Sequence, residues 1–83
     1  MKSTIVQKIR ILKGGWRVAD REDDIKYVKQ LEIELLIEGN AKNGYHLIMT
    51  PEGFFAADLH FDSIEEAKEE AEEYFEVSNI QWS

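Results

Sequence analysis

Polar and apolar residues alternate along much of this chain, and the longest alternation lies near its middle. Ile25, Tyr27, Leu31, Ile33, Leu35 and Ile37 share one parity, and Lys26, Gln30, Glu32, Glu34 and Glu38 share the other. A period of two over that length predicts a half-buried antiparallel strand across residues 25–38. The competing assignment is a helix over 21–30 capped by Asp20. Upstream, TIVQKIRIL at residues 4–12 is rich in β-branched and aliphatic side chains and predicts a first strand that ends at Lys13-Gly14-Gly15. Trp16-Arg17-Val18 is a candidate short second strand, and residues 19–24 form a charged turn.

Two apolar runs flank Pro51-Glu52-Gly53, which predicts a hairpin with a three-residue loop. Pairing Thr50 with Phe54 sets Met49 opposite Phe55, Leu47 opposite Ala57 and Tyr45 opposite Leu59. One face then carries Tyr45, Leu47, Met49, Phe55, Ala57, Leu59 and Phe61, and a one-residue slip would scatter that set. The period changes after Asp62. Ser63 and Glu66 form an S-x-x-E capping box, and Ile64, Ala67, Ala71, Tyr74 and Phe75 fall within an arc of roughly 100° at helical spacing. A helix is expected from residue 63 or 64 to about Glu76, leaving near Asn79. Trp82 is expected to fold back onto the core. Together these elements predict one α+β domain over residues 1–83: an antiparallel sheet of about four strands with a C-terminal helix packed on one face. The strands at 4–12 and 25–38 are the candidate sheet edges, through which a homodimer could form.

Composition narrows the chemistry. With no cysteine, the chain has no disulfide, thiolate metal site or Cys nucleophile. The N-terminal residues Lys2, Lys8 and Arg10 interrupt any apolar leader, and the longest apolar run, residues 54–57, is far short of a membrane span. A cytoplasmic protein with no membrane partner is therefore expected. The net charge of −7 divides unevenly: residues 1–30 hold eight basic and four acidic side chains, and residues 31–83 hold two and thirteen. Such an acidic second half argues against nucleic acid as a partner and permits a basic protein, although solubility alone accounts for the charge.

Two groups of side chains could carry function. Glu65, Glu66, Glu69, Glu70 and Glu73 line the outer face of the predicted helix, with Lys68 the only base among them. Like charges at i,i+4 each cost a few tenths of a kcal/mol. A helix that accepts this cost can present its charge to a basic partner, although a solvated face needs no partner. The second group is His46, Asp58 and His60, which the hairpin register gathers on the face away from the core. Two imidazoles and a carboxylate could ligate a divalent metal or act as a general acid–base set. No phosphate loop, Ca²⁺ loop or nucleophile–base–acid set can be assembled, so no enzyme and no cofactor is expected.

The stretch 44–77 resembles a family of small uncharacterised bacterial proteins in which a hairpin leads into a helix of the form S-x-E-E-A-K-x-x-A-E-x-x-F. The matching residues are Asp58, His60, Ser63, Glu65, Glu66, Ala67, Lys68, Ala71, Glu72 and Phe75. This chain departs at Asp58-Leu59-His60-Phe61, where the family has a Thr-Trp-His-like turn after the Asp. The strand–strand–helix order is also similar to HicB-like antitoxin domains, without their Pro-Asp-x-Pro-Gly stretch. The resemblance implies a non-enzymatic immunity or antitoxin role in which a partner protein is bound.

Overall fold

Ile33, Leu35 and Ile37 are buried in the middle strand of a five-stranded antiparallel sheet. The computed structural model describes residues 1–83. Its strands are β1 (Lys2–Leu12), β2 (Gly15–Val18), β3 (Val28–Asn40), β4 (Gly44–Pro51) and β5 (Ala57–Phe61), followed by the helix α1 (Ile64–Phe75). Their spatial order is β2-β1-β3-β4-β5. Ile5 pairs with Ile33, Ile37 with Leu47, and Leu47 with Leu59, so one parity runs through the four longer strands. In β2 the parity reverses, because Ile9 faces Val18 and Ile11 faces Trp16. Trp16 and Val18 thereby join the core face.

That face is covered by α1. Ala67, Ala71 and Phe75 are fully buried against Ile9, Ile33, Leu35, Ile37, Leu47 and Met49. Two methyl side chains at successive turns let the helix backbone lie close to the sheet, and Phe75 fills the space beyond them. Trp16 stacks on Phe75, with ring centroids 6.1 Å apart and planes at 12°, and meets Tyr74 edge-on at 6.1 Å. At its start, Ser63 accepts a hydrogen bond from the Glu66 N–H at 3.1 Å. At its end, Glu76 takes a left-handed conformation and donates back to Glu72 and Glu73. The tail then returns to the sheet as expected. Ile80 and Trp82 pack on the core, and Ser83 exchanges two backbone hydrogen bonds with Lys2, each 2.9 Å.

Four sequence expectations need correction. The sheet has five strands, not about four, because residues 15–18 pair fully with the end of β1. The outer strands are β2 and β5 and β3 is central; the expected edge at 4–12 holds only in part, because β2 pairs with Ile9–Leu12 and leaves residues 3–8 with no strand on that side. The long strand begins at Val28, since Ile25–Tyr27 form a 3-10 turn capped by the Asp24 carboxylate, which accepts from the Lys26 N–H at 3.1 Å. Ile25 is consequently 86% exposed.

The hairpin register is the fourth correction. Met49 pairs with Ala57, His46 with His60 and Tyr45 with Phe61, two residues away from the expected pairing. Pro51 accepts from the Phe54 N–H at 3.0 Å across a turn whose Gly53 has φ +83°, a conformation that favours glycine. The Trp16 indole N–H then donates to the Phe55 carbonyl at 2.9 Å and holds residues 54–56 out of the ladder. Phe55, expected on the core face, is 89% exposed.

Truncating the two phenylalanines should separate these positions. Phe75→Ala empties the centre of the core and is expected to cost about 3–5 kcal/mol of unfolding free energy, measured by urea titration. Phe55→Ala should change it by no more than about 0.5 kcal/mol. A comparable loss at Phe55 would mean that the loop is packed inward.

Candidate functional site

The helical period that buries Ala67, Ala71 and Phe75 turns Glu65, Glu66, Glu69 and Glu73 to the exposed side of α1, with Glu70 half-buried at its flank. No cation balances them. The ion pairs of the chain join Arg10, Arg17 and Lys26 to Asp20, Asp23 and Asp24, and His46 to Asp58; none includes a glutamate. Glu65 and Glu66 sit in the first turn, where the positive end of the helix dipole favours them. Glu73 sits in the last turn, which has no basic residue. Glu72 differs from these, because its carboxylate accepts the Ile80 N–H at 3.2 Å and ties the tail to the helix.

The second cluster lies on the opposite face of the sheet. The shift of two residues keeps parity, so His46, Asp58 and His60 still share the open face, but their relations change. His60 is directly across from His46, with ring centroids 5.1 Å apart, and Asp58 is diagonal to His46. His46 Nδ1 lies 2.9 Å from Asp58 Oδ1, and His60 Nε2 lies 3.1 Å from the Asn43 carbonyl. Gly44, at φ +86°, makes room for this: a Cβ there would run into the His60 ring. Glu38 pairs with His46 from the β3 side. All four side chains are exposed, and no three His, Asp or Glu side chains are arranged to hold a metal ion.

A third cluster is not evident in the sequence pattern. Arg10 and Arg17 face each other across β1 and β2, a like-charge pair that would repel. Asp23, only 9% exposed, resolves it. Its carboxylate accepts from both terminal nitrogens of Arg17, at 2.9 and 2.5 Å, and from the Asp20 N–H at 2.8 Å, and it lies 3.6 Å from Arg10 Nε. The Arg10 guanidinium also lies 4.4 Å from the centre of the Tyr27 ring. This network folds the 19–27 segment onto the sheet. Arg10 and Arg17 ahead of a run of aspartates were the available signal, but their opposition depends on the β1–β2 register. An open groove of about 640 Å³ runs between the C-terminal tail and β1, β3 and β4, past Thr4, Leu36, Ile48 and Ile80. It contains none of the predicted site residues.

No helix is long and apolar enough to cross a membrane. No protein-family model, curated protein or solved structure matches this chain.

The Arg17 hydrogen bonds, the Asp20 N–H and the nearby Arg10 charge hold the Asp23 carboxyl below its ordinary value of 3.8, against the opposing effect of burial. A depressed carboxyl stabilises the fold above its unfolded pKa, and the contribution is lost as pH falls through the folded value. Urea midpoints measured downward from pH 5 should therefore decline below about pH 4. Asp23→Asn should start from a lower stability at pH 5 and decline less steeply. Equal slopes in the two proteins would show that the acid sensitivity arises elsewhere.

Proposed function

We propose that this chain is a small non-enzymatic protein-interaction domain, of the immunity or antitoxin kind, that binds a basic protein through Glu65, Glu66, Glu69, Glu70 and Glu73. The supporting observation is the set of glutamates along α1 that no cation within 4.0 Å balances, although the same chain pairs its arginines with aspartates elsewhere. Four of the five are exposed, and the helix repeats its acids at i,i+4 (65–69, 66–70 and 69–73), so the face carries an uncompensated repulsion of a few tenths of a kcal/mol per pair. A Lys- or Arg-rich surface docking there would relieve it and would be steered toward it in solution.

The test is a triple reversal, Glu66→Lys, Glu69→Lys and Glu73→Lys. A basic protein captured from host lysate by the tagged native chain is purified and titrated against both forms. The native complex should weaken steeply between low and moderate salt, and the reversed chain should bind at least tenfold more weakly with a shallow salt slope. Circular dichroism and a urea titration check its folding, because Glu66→Lys gives up the favourable dipole position in the first turn and Glu69→Lys with Glu73→Lys is again a like-charge pair. A complex indifferent to salt and to reversal would overturn the acidic-face reading.

A second reading follows from the contact between His46 and Asp58: a metal or small-molecule site on the open face that includes His60. A carboxylate or carbonyl on one ring nitrogen sets the tautomer and leaves the other nitrogen with its lone pair. Binding of Zn²⁺ or Ni²⁺ by the two imidazoles should raise the melting temperature as the metal concentration rises, and His46→Ala should abolish the rise. A melting curve that does not respond to either ion removes this reading.

A further inference from the structure

β5 is an open edge of the sheet. It pairs with β4 on one side, and no backbone hydrogen bond from any other element reaches residues 57–61. Edge strands are ordinarily guarded by Lys, Pro, a bulge or a covering segment. The opposite edge, β2, carries Arg17 tied to the 19–27 segment through Asp23. β5, with the sequence ADLHF, carries no Lys, Arg or proline, and Asp58 is its one formal charge. Its core-side residues Ala57, Leu59 and Phe61 are only half-buried, and Asp58 and His60 are exposed on the other face.

We propose that β5 pairs antiparallel with β5 of a second copy of this chain, about a two-fold axis through Leu59. In that register Leu59 meets Leu59, Ala57 lies opposite Phe61, and Asp58 lies opposite His60, the last two pairs occurring twice by symmetry. The apolar pairs continue the core faces of both copies, and the Asp58–His60 pairs lie together on the open face. Both polar groups keep a free atom for the contact. His46 engages Asp58 Oδ1 and leaves Oδ2, and Asn43 engages His60 Nε2 and leaves Nδ1, which donates to Oδ2 when the imidazole carries its second proton.

The neighbouring registers are worse. A shift of two residues one way sets Asp58 against Asp58, and the other way sets His60 against His60. A shift of one residue sets the apolar side chains of each copy against the polar ones. The strand is therefore complementary to itself in a single register. A five-residue edge is a small interface, so the dimer is weak and forms in proportion to concentration. Each copy carries a net charge of −7, and moderate salt screens that repulsion.

The chain has no cysteine, which makes a crosslinking test clean. Asp58→Cys and His60→Cys place thiols at exposed positions, and circular dichroism checks that both variants fold. After mild oxidation at moderate salt, each variant alone should remain mostly uncrosslinked, because its two thiols are diagonal across the axis. The mixture should give a disulfide-linked dimer, because each thiol then faces the other variant's thiol directly. The native chain should show a concentration-dependent monomer–dimer equilibrium by sedimentation. A native chain that stays monomeric throughout, or a mixture that crosslinks no better than its components, overturns the proposal.

Discussion

One helix of twelve residues has to cover a sheet of five strands, and the rest of the structure is arranged around that shortage. Only ten of 83 residues are buried, nine of them apolar and drawn from β1, β3, β4 and α1. Ala67 and Ala71 bring the helix down onto β3 and β4, but a close helix leaves the β1–β2 side uncovered. Trp16 fills that side from the sheet by stacking on Phe75, and its indole N–H draws the 52–56 loop toward it. The C-terminal tail closes another flank with Ile80 and Trp82 and is fastened to β1 through Ser83. Large aromatic side chains let a thin core bury enough area with few residues. The other face of the sheet has no helix and is covered only where the 19–27 segment lies over Arg10 and Arg17, and the rest of its side chains are mostly Lys, Glu, Thr and His with a few aliphatics.

The parts of this arrangement that could be read in advance are those that depend on parity alone. Ile33, Leu35 and Ile37 are inside because a period of two leaves them no alternative once one face is buried. The inward set Leu47, Met49, Leu59 and Phe61 survives for the same reason, even though the hairpin is paired two residues away from expectation. A shift of one residue inverts the faces and is easily rejected, whereas a shift of two preserves them and leaves no mark in the hydrophobic pattern. In the observed register the Trp16 indole N–H reaches the Phe55 carbonyl, a contact between residues 39 positions apart that no local pattern shows. Ile25 and Tyr27 were misplaced for a local reason: their alternation fits a strand, but the Asp24 cap closes a 3-10 turn before the ladder begins.

The candidate sites divide along the same line. His46, Asp58 and His60 gather because their parity is shared, and the acidic face of α1 follows from helical spacing. Which histidine faces which group depended on the register, so His46 meets Asp58 diagonally and His60 directly. The Arg10–Arg17–Asp23 network required the β1–β2 pairing and the path of the 19–27 segment at once. Neither leaves a periodic trace, and a run of alternating charges looks the same whether solvated or folded inward.

The distribution of charge follows from these placements. The bases of the first half lie in β1, β2 and the 19–27 segment, where Arg10 and Arg17 converge on Asp23 and are thereby neutralised. They cannot also serve α1, which lies mainly against β4 and β5. The acids of the second half are left without counterions of their own. On β3, Glu32 and Glu34 at least face Val6 and Thr4 across the ladder, with Lys8 and Lys2 one pair further along the strand. On α1 the nearest base in sequence is Lys68, which is half-buried and makes no ion pair with its neighbours. The acidic face is thus a consequence of where the arginines are needed to hold the fold.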